Sequence, residues 1–158
     1  MIDMLIDDDI DSELPNTAMI QQAVQKACHA AQFNAAIPEV CIRFAANDVV
    51  QALNAQWRHK DSVTDVLSFP MQDGPNYDPE EGLGDIILAM PFVSHEADRL
   101  DVDFHAHVLH LIIHGTLHLL GYDHIDDVEA TVMQQLECKI MLELNLHNPY
   151  PDENQYHV

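Results

Sequence analysis

The sequence has few basic residues: six Lys and Arg stand against 27 Asp and Glu in 158 residues, a formal net charge of −21. Such a surface repels nucleic acid and anionic membrane at long range, which excludes binding through a broad basic patch. An enzyme that holds a phosphate locally is still possible, since Arg43, Arg58 and Lys60 lie close together in the chain. The apolar fraction of 47% is typical of one globular domain and not of a disordered chain.

Long apolar runs and paired cysteines are also missing. The longest apolar run, 86–93, includes a proline and falls far short of the roughly 18 residues that a membrane span needs. The N-terminus is acidic where a signal peptide would be basic, so we expect a cytoplasmic protein. Cys28, Cys41 and Cys138 form no Cys-x-x-Cys pair, which favours free thiols over disulfides or a thiolate metal site.

The apolar periodicity predicts an α+β fold with four strands and about five helices. We expect the strands at 2–6, 40–45, 63–69 and 83–90. We expect the helices at 17–33, from position 47 or 48 to about 57, at 91–99, at 103–120 and from 126 onward. The fourth strand is apolar almost throughout, which predicts a central place in the sheet. We expect one domain over 1–147, followed by a polar, frayed tail at 148–158.

Three histidines form the most informative pattern, His-x3-His-x5-His, at His114, His118 and His124. Residues four apart lie on one helix face, so the first two can present their imidazoles to one ion. Gly121 is suited to end that helix, because glycine adopts the left-handed conformation at little cost, and the next residues return His124 toward the other two. Three imidazoles with an open fourth position are typical of a catalytic zinc site, although nickel, cobalt, copper or iron would also bind.

The same segment, H-x-x-x-H-x-x-G-x-x-H, differs from the metzincin peptidase signature at one position. Gly115 stands where those peptidases carry the glutamate that serves as general base. The missing glutamate argues against peptide hydrolysis but leaves the metal site whole.

Four other side chains near these patterns have open roles. His110 can contact the site or fill the core, and Asp123 can orient an imidazole or serve the turn. Asp65 and Asp85 each interrupt an apolar strand, and each can be a structural support or a catalytic group. Two further histidines at the start of the same helix are expected to be exposed to solvent, His105 and His107.

Four segments carry a resemblance to a known family: HGTLHLLGYDH (114–124), SVTDVLSFP (62–70), LGDIIL (83–88) and LNAQWR (53–58). In these segments and their order the sequence resembles the YbeY-type endoribonucleases. The eleven-residue histidine segment is the most specific of the four, and together they cover the chain from about residue 50 to the last helix.

The resemblance implies a zincin-like α+β domain with a mixed four-stranded sheet. It implies one metal ion, normally zinc, on His114, His118 and His124, and an arginine needed for activity at Arg58, so we assign Arg58 and His114 as catalytic. It also implies metal-dependent cleavage of single-stranded RNA in 16S rRNA 3′-end maturation and in ribosome quality control. The expected partners are ribosomal RNA and the ribosome or its small subunit, with no membrane and no DNA.

Two other functions stay open from the residues alone. The triad determines the ion and not the substrate, so a metal-dependent hydrolase of another ester or amide is possible. A non-catalytic ribosome-associated factor with a structural metal is also possible, and a fourth protein ligand such as His110 would favour it. For an RNA enzyme, the net charge predicts few phosphate contacts, through Arg58, Lys60 and Arg43.

Overall fold

The computed structural model describes residues 2–31, 39–74, 77–78 and 80–151. Within these ranges the chain forms a four-stranded sheet and five α-helices, which confirms the predicted α+β class. The elements, in chain order, are β1 (Ile2–Ile6), α1 (Thr17–Ala30), β2 (Val40–Ala45), α2 (Asn47–Arg58), β3 (Val66–Pro70), β4 (Gly84–Ala89), α3 (Met90–Leu100), α4 (Phe104–Leu119) and α5 (Asp127–Glu143).

The sheet is mixed, with the strand order β1-β2-β4-β3. β1 pairs with β2 and β2 with β4 in parallel, whereas β3 runs antiparallel to β4. β4 therefore lies between two strands, as its continuous apolar sequence predicts. Alternate residues of β4 face opposite sides of the sheet: Ile86 and Leu88 contact the larger core, and Ile87 and Ala89 the smaller one.

The larger core lies between the sheet and the helices α1, α4 and α5, and the smaller core lies under α2. α4 is the central helix of the fold, because it packs against α1, α3, α5 and the sheet. Twelve of its 16 residues are buried, so its sequence is apolar on nearly every side. Any polar side chain on this helix must find a partner on a neighbouring element.

Helix caps agree with the sequence at two of the predicted starts. The Asn16 carboxamide accepts a hydrogen bond from the Met19 N–H (2.8 Å), and the Asp126 carboxylate accepts one from the Glu129 N–H (2.8 Å). α1 ends at Ala30, and the last residues of its predicted range fall within 32–38, outside the described residues.

The start of α2 and the start of β3 differ from the prediction. Ala46 is the N-cap of α2, so the helix begins at Asn47. The side chain of Asn47 accepts a hydrogen bond from the Phe92 N–H (2.9 Å), which joins α2 to α3. Trp57 on α2 is 61% exposed, although helical periodicity predicts it on the same side of the helix as Val50 and Leu53. β3 begins at Val66, three residues later than predicted, although Asp65 O already accepts a hydrogen bond from the Ala89 N–H of β4 (3.0 Å).

All three cysteines are free thiols, as predicted. Cys28 is buried in the larger core, and burial raises the pKa of its thiol to about 11, so it stays protonated and unreactive. Among the described residues, no helix has the length and apolar character that crossing a membrane requires.

Candidate metal centre

The C-terminal end of α4 and the turn after it bring the three motif histidines together. The turn is a Schellman motif: Gly121 N–H donates to His118 O (3.0 Å) and Tyr122 N–H to Leu117 O (3.0 Å). Gly121 has φ of +97°, the left-handed conformation that the sequence predicted for it. The chain therefore reverses within three residues and returns His124 to the face that carries His118.

The ring nitrogens of His114, His118 and His124 lie within 4.8 Å of one another. The two Nε2 atoms of His114 and His118 are 3.1 Å apart. Tetrahedral zinc with Zn–N bonds of about 2.0–2.1 Å places neighbouring ligand nitrogens about 3.3 Å apart. The spacing and the all-imidazole donor set therefore fit a single zinc-like ion, and the structure brings together the three residues that the sequence predicted as ligands.

The protonation of these rings also suits a metal. Burial, together with the neighbouring His114 and His124, lowers the pKa of His118 to about 4, so its lone pair is free at neutral pH. Burial also acts to lower the pKa of His114, but the hydrogen bond and charge of Glu137 outweigh it, and the pKa is raised. A metal ion would therefore compete with a proton mainly at His114.

Glu137 on α5 is the residue that sequence reasoning missed. It is fully buried, and its Oε1 accepts hydrogen bonds from Nδ1 of His114 (3.1 Å) and Nε2 of His110 (2.6 Å). Burial acts to raise the pKa of Glu137, but these hydrogen bonds lower it to about 2, so the carboxylate is ionised. The only signal in the sequence for a buried carboxylate is the helical spacing, since Glu137 lies four residues from both Met133 and Met141 and so shares the buried face of α5 with them.

His110 lies beside Glu137 and is not among the three histidines whose ring nitrogens converge. It is 8% exposed, and Nε2 is engaged by the carboxylate of Glu137. Asp123, the other open candidate near the motif, contacts the turn through its Oδ1, which accepts a hydrogen bond from the His124 N–H (2.7 Å), and its charge also acts to raise the pKa of His118 against the effect of burial.

The three histidines open into a cleft with a volume of about 720 Å³, which Arg58, Lys60 and Asp65 also line. The Arg58 guanidinium donates from Nη2 to Ser68 O (2.5 Å), and its central carbon lies 5.6 Å from the centre of the Phe69 ring. These two contacts hold a positive charge at the edge of β3, in the same cleft as the histidines.

Two other candidates lie elsewhere. Arg43, a predicted phosphate contact, is on β2, makes two hydrogen bonds with the Asp7 carboxylate (2.9 and 3.0 Å), and does not line the cleft that holds Arg58. Asp85 is on β4, opposite Cys41 on β2, and does not line the cleft. Its role is therefore within the sheet.

Gly115 on α4 packs closely against the sheet. A Cβ atom there would lie 3.0 Å from Ile86 Cγ2 and 3.1 Å from Ser68 Oγ. The Ser68 hydroxyl also donates to Gly115 O (3.4 Å). Any side chain at this position would therefore require Ile86 and Ser68 to shift by a few tenths of an ångström, and the helix packs here with a glycine where the zinc peptidases carry their general base.

Asp65 joins a second group of polar side chains beside the cleft. Its Oδ1 accepts a hydrogen bond from the Val66 N–H (2.8 Å), and its side chain shares a hydrogen bond with Glu96. Burial and the nearby Glu96 raise the pKa of Asp65, so it can carry the shared proton. Glu96 also contacts Nε2 of His107 (2.6 Å).

The prediction that His107 is exposed is wrong, since only 4% of it is accessible. α3 packs over this end of α4, and its Glu96 carboxylate supplies the partner that a buried imidazole needs. His105 is half-buried, with Nε2 2.9 Å from Glu13 O.

Comparison with known proteins agrees with this geometry. A family model described as endoribonuclease YbeY matches residues 6–145. Endoribonuclease YbeY of Rhizorhabdus wittichii is 47% identical over 139 residues, 83% of this chain and 82% of that protein. The Rhizobium etli protein of the same name is 45% identical over 118 residues, 74% of this chain and 69% of that protein. The solution structure of TM1509 from Thermotoga maritima has a TM-score of 0.57 at 23% identity, over 92% of each chain, which shows a common fold. The chain therefore belongs to the YbeY family.

Proposed function

We propose that this protein is a zinc-dependent endoribonuclease that cleaves single-stranded RNA in maturation of the 16S rRNA 3′ end. Endoribonuclease activity and a part in rRNA processing follow from membership of the family. The choice of zinc, the preference for single strands and the 16S 3′ end are proposals. The observation that supports them best is the convergence of three imidazoles on a cleft that also holds Arg58.

In the proposed site, His114, His118 and His124 hold the ion. When bound there, zinc would supply a Lewis acid for a phosphoryl oxygen and lower the pKa of a water toward ~7. Arg58 binds the phosphate at the scissile bond and stabilises the negative charge that develops on it. Its hydrogen bond to Ser68 O keeps the guanidinium in place before the substrate arrives.

The negative net charge of the protein favours a single-stranded RNA substrate over a duplex. The chain carries a net charge of −21, so a duplex lying across the surface would meet repulsion at many phosphates. A single strand can enter the cleft with a few phosphates only, beside Arg58 and Lys60. We therefore propose cytoplasmic action on exposed ribosomal RNA, with the small ribosomal subunit as the partner.

The ligand set favours catalysis over a structural metal. Among the described residues, only the three motif histidines converge as possible ligands. His110, the candidate for a fourth ligand, is held by Glu137. An ion held by these three histidines alone would keep a coordination position for water or substrate, which is typical of catalytic zinc.

The test is cleavage of a 16S rRNA fragment with a single-stranded 3′ extension, beside the same extension annealed to a complementary strand. We compare wild type with His114→Ala, and with His29→Ala as a matched control for an exposed helical histidine. We expect cleavage of the single strand by wild type and His29→Ala, and loss of both cleavage and bound zinc in His114→Ala. Cleavage that is equal in all three proteins would refute the proposal, since it would come from a contaminating nuclease.

A further inference from the structure

A buried carboxylate lies behind the metal-facing histidines, on the side away from the cleft. Glu137 has no solvent exposure, and its Oε1 is the acceptor for three donors: His114 Nδ1 (3.1 Å), His110 Nε2 (2.6 Å) and Tyr150 Oη (2.9 Å). Burial of a carboxylate is costly unless donors replace the water that it loses. Three donors, two from α4 and one from the C-terminal segment, therefore form a built support at this oxygen.

We propose that Glu137 is a positioning residue for the metal ligand His114, an inference that rests on the proposed metal site. A carboxylate only accepts hydrogen bonds, so the single proton of the neutral His114 ring must lie on Nδ1. Nε2 then directs its lone pair toward the cleft, 3.1 Å from Nε2 of His118. Such a contact fixes the tautomer and ring orientation of a ligand histidine and increases its basicity.

Tyr150 extends this support into the segment that the sequence predicted as a frayed tail. Its hydroxyl donates to Glu137, and its ring lies 5.6 Å from that of His110, edge to face. The segment is attached to α5, because Asn148 Oδ1 accepts hydrogen bonds from the Tyr150 N–H (2.9 Å) and from the Cys138 thiol (3.1 Å). Residues up to Tyr150 are therefore part of the site.

The first test measures zinc affinity by competition with a chromophoric chelator, and the visible absorption of the Co²⁺-loaded protein. Glu137→Gln keeps the shape and one acceptor oxygen but removes the charge. We expect it to weaken zinc binding by about tenfold to a hundredfold and to change the Co²⁺ spectrum. Tyr150→Phe removes one donor to Glu137 and keeps the charge, and we expect a smaller loss of about threefold.

Glu143→Gln is the matched control. It makes the same substitution on the same helix, at an exposed carboxylate that pairs with Lys26 (3.4 Å). We expect its zinc affinity and Co²⁺ spectrum to equal those of wild type. If Glu137→Gln binds zinc as tightly as Glu143→Gln does, the positioning role is overturned.

A second measurement does not depend on the folding of Glu137→Gln. Oε2 of Glu137 is buried and accepts no hydrogen bond within the described structure, so an amide NH₂ there can prevent folding. Long-range ¹H–¹⁵N NMR of the metal-free wild type at about pH 8.5 reads the tautomer of His114 directly. We expect the proton on Nδ1; a proton on Nε2 would overturn the inference.

The outcomes separate this inference from the proposed metal site. Equally weak zinc binding by wild type and His114→Ala would refute the metal site and, with it, the positioning role. If wild type and Glu137→Gln both bind zinc tightly and His114→Ala does not, the positioning role alone is refuted.

Discussion

The replacement of Arg58 by alanine should lower kcat/KM on single-stranded RNA by about a hundredfold or more and leave bound zinc unchanged. Loss of one preorganised donor to a developing oxyanion costs about 2.7–4 kcal/mol of transition-state stabilisation, which is a factor of about 10² to 10³ in rate. Arg58 lies in the cleft with the histidines but is not among the possible metal ligands, so metal content and rate should separate.

The same substitution should cost little folding stability. The hydrogen bond to Ser68 O is worth about 1–1.5 kcal/mol, and the contact with the Phe69 ring at 5.6 Å about 0.5–1 kcal/mol at an exposed site. The loss of about 2 kcal/mol is smaller than the stability of about 5–15 kcal/mol that a domain of this kind has, so Arg58→Ala should remain folded. Urea unfolding measures this difference.

Two further variants determine whether charge alone explains the effect. Lys139→Ala changes the net charge from −21 to −22 by removing one exposed positive charge, as Arg58→Ala does, and should keep wild-type activity. Arg58→Lys keeps the charge but lacks the planar fork that can contact Ser68 O and a phosphate together, so it should recover activity only in part. Single-turnover cleavage of a fluorescent single strand is the assay. Activity of folded, zinc-loaded Arg58→Ala within threefold of wild type would refute the role of Arg58.

Three other predictions follow from the site and the sheet. The pKa of His114 is raised above 6.5, and below that pKa a proton competes with the metal for Nε2, so the apparent zinc affinity should fall about tenfold per pH unit. His118 has a pKa of about 4, so it binds a competing proton only in acid. Chelator competition from about pH 8 to about pH 5 measures this, and an affinity independent of pH would contradict a histidine site. The logarithm of the RNA binding constant should fall with the logarithm of salt concentration with a slope of about −1.4, because Arg58 and Lys60 each hold one phosphate and each contributes about −0.7. A slope of about −4 would instead imply six phosphate contacts. Gly84→Ala should destabilise the fold by about 3 kcal/mol or more in urea unfolding, because φ is +145° and a Cβ would lie 2.3 Å from Phe69 O; unchanged stability would refute this account of β4.

The sequence predicts those parts of the site that depend on interactions between residues close together in the chain. His114 and His118 share a face through helical periodicity, and Gly121 ends the helix because of its backbone freedom. The central place of β4 likewise follows from a local apolar run. Each of these inferences needs only neighbours within a few residues.

The parts that the sequence does not predict depend on distant contacts. Glu137 is 23 residues from His114, and Glu96 is 11 residues from His107, so each pair exists only because two helices pack together. Nothing in the local pattern separates a buried glutamate from a solvated one. Trp57 shows the converse, since an apolar residue at the correct helical position lies outside the reach of the smaller core.

The contact at Gly115 has a consequence for protein design. A single substitution to glutamate would complete the H-E-x-x-H sequence of the zinc peptidases on this helix. A Cβ at this position would lie 3.0 Å from Ile86 and 3.1 Å from Ser68, so both side chains would have to shift to admit it. A designer who wanted peptidase chemistry would therefore have to make space beside Ile86 and Ser68, which both lie in the sheet on which the helix packs. A one-step conversion would therefore strain the contact between α4 and the sheet, so exchanging one chemistry for the other requires a change in packing as well as a new functional group.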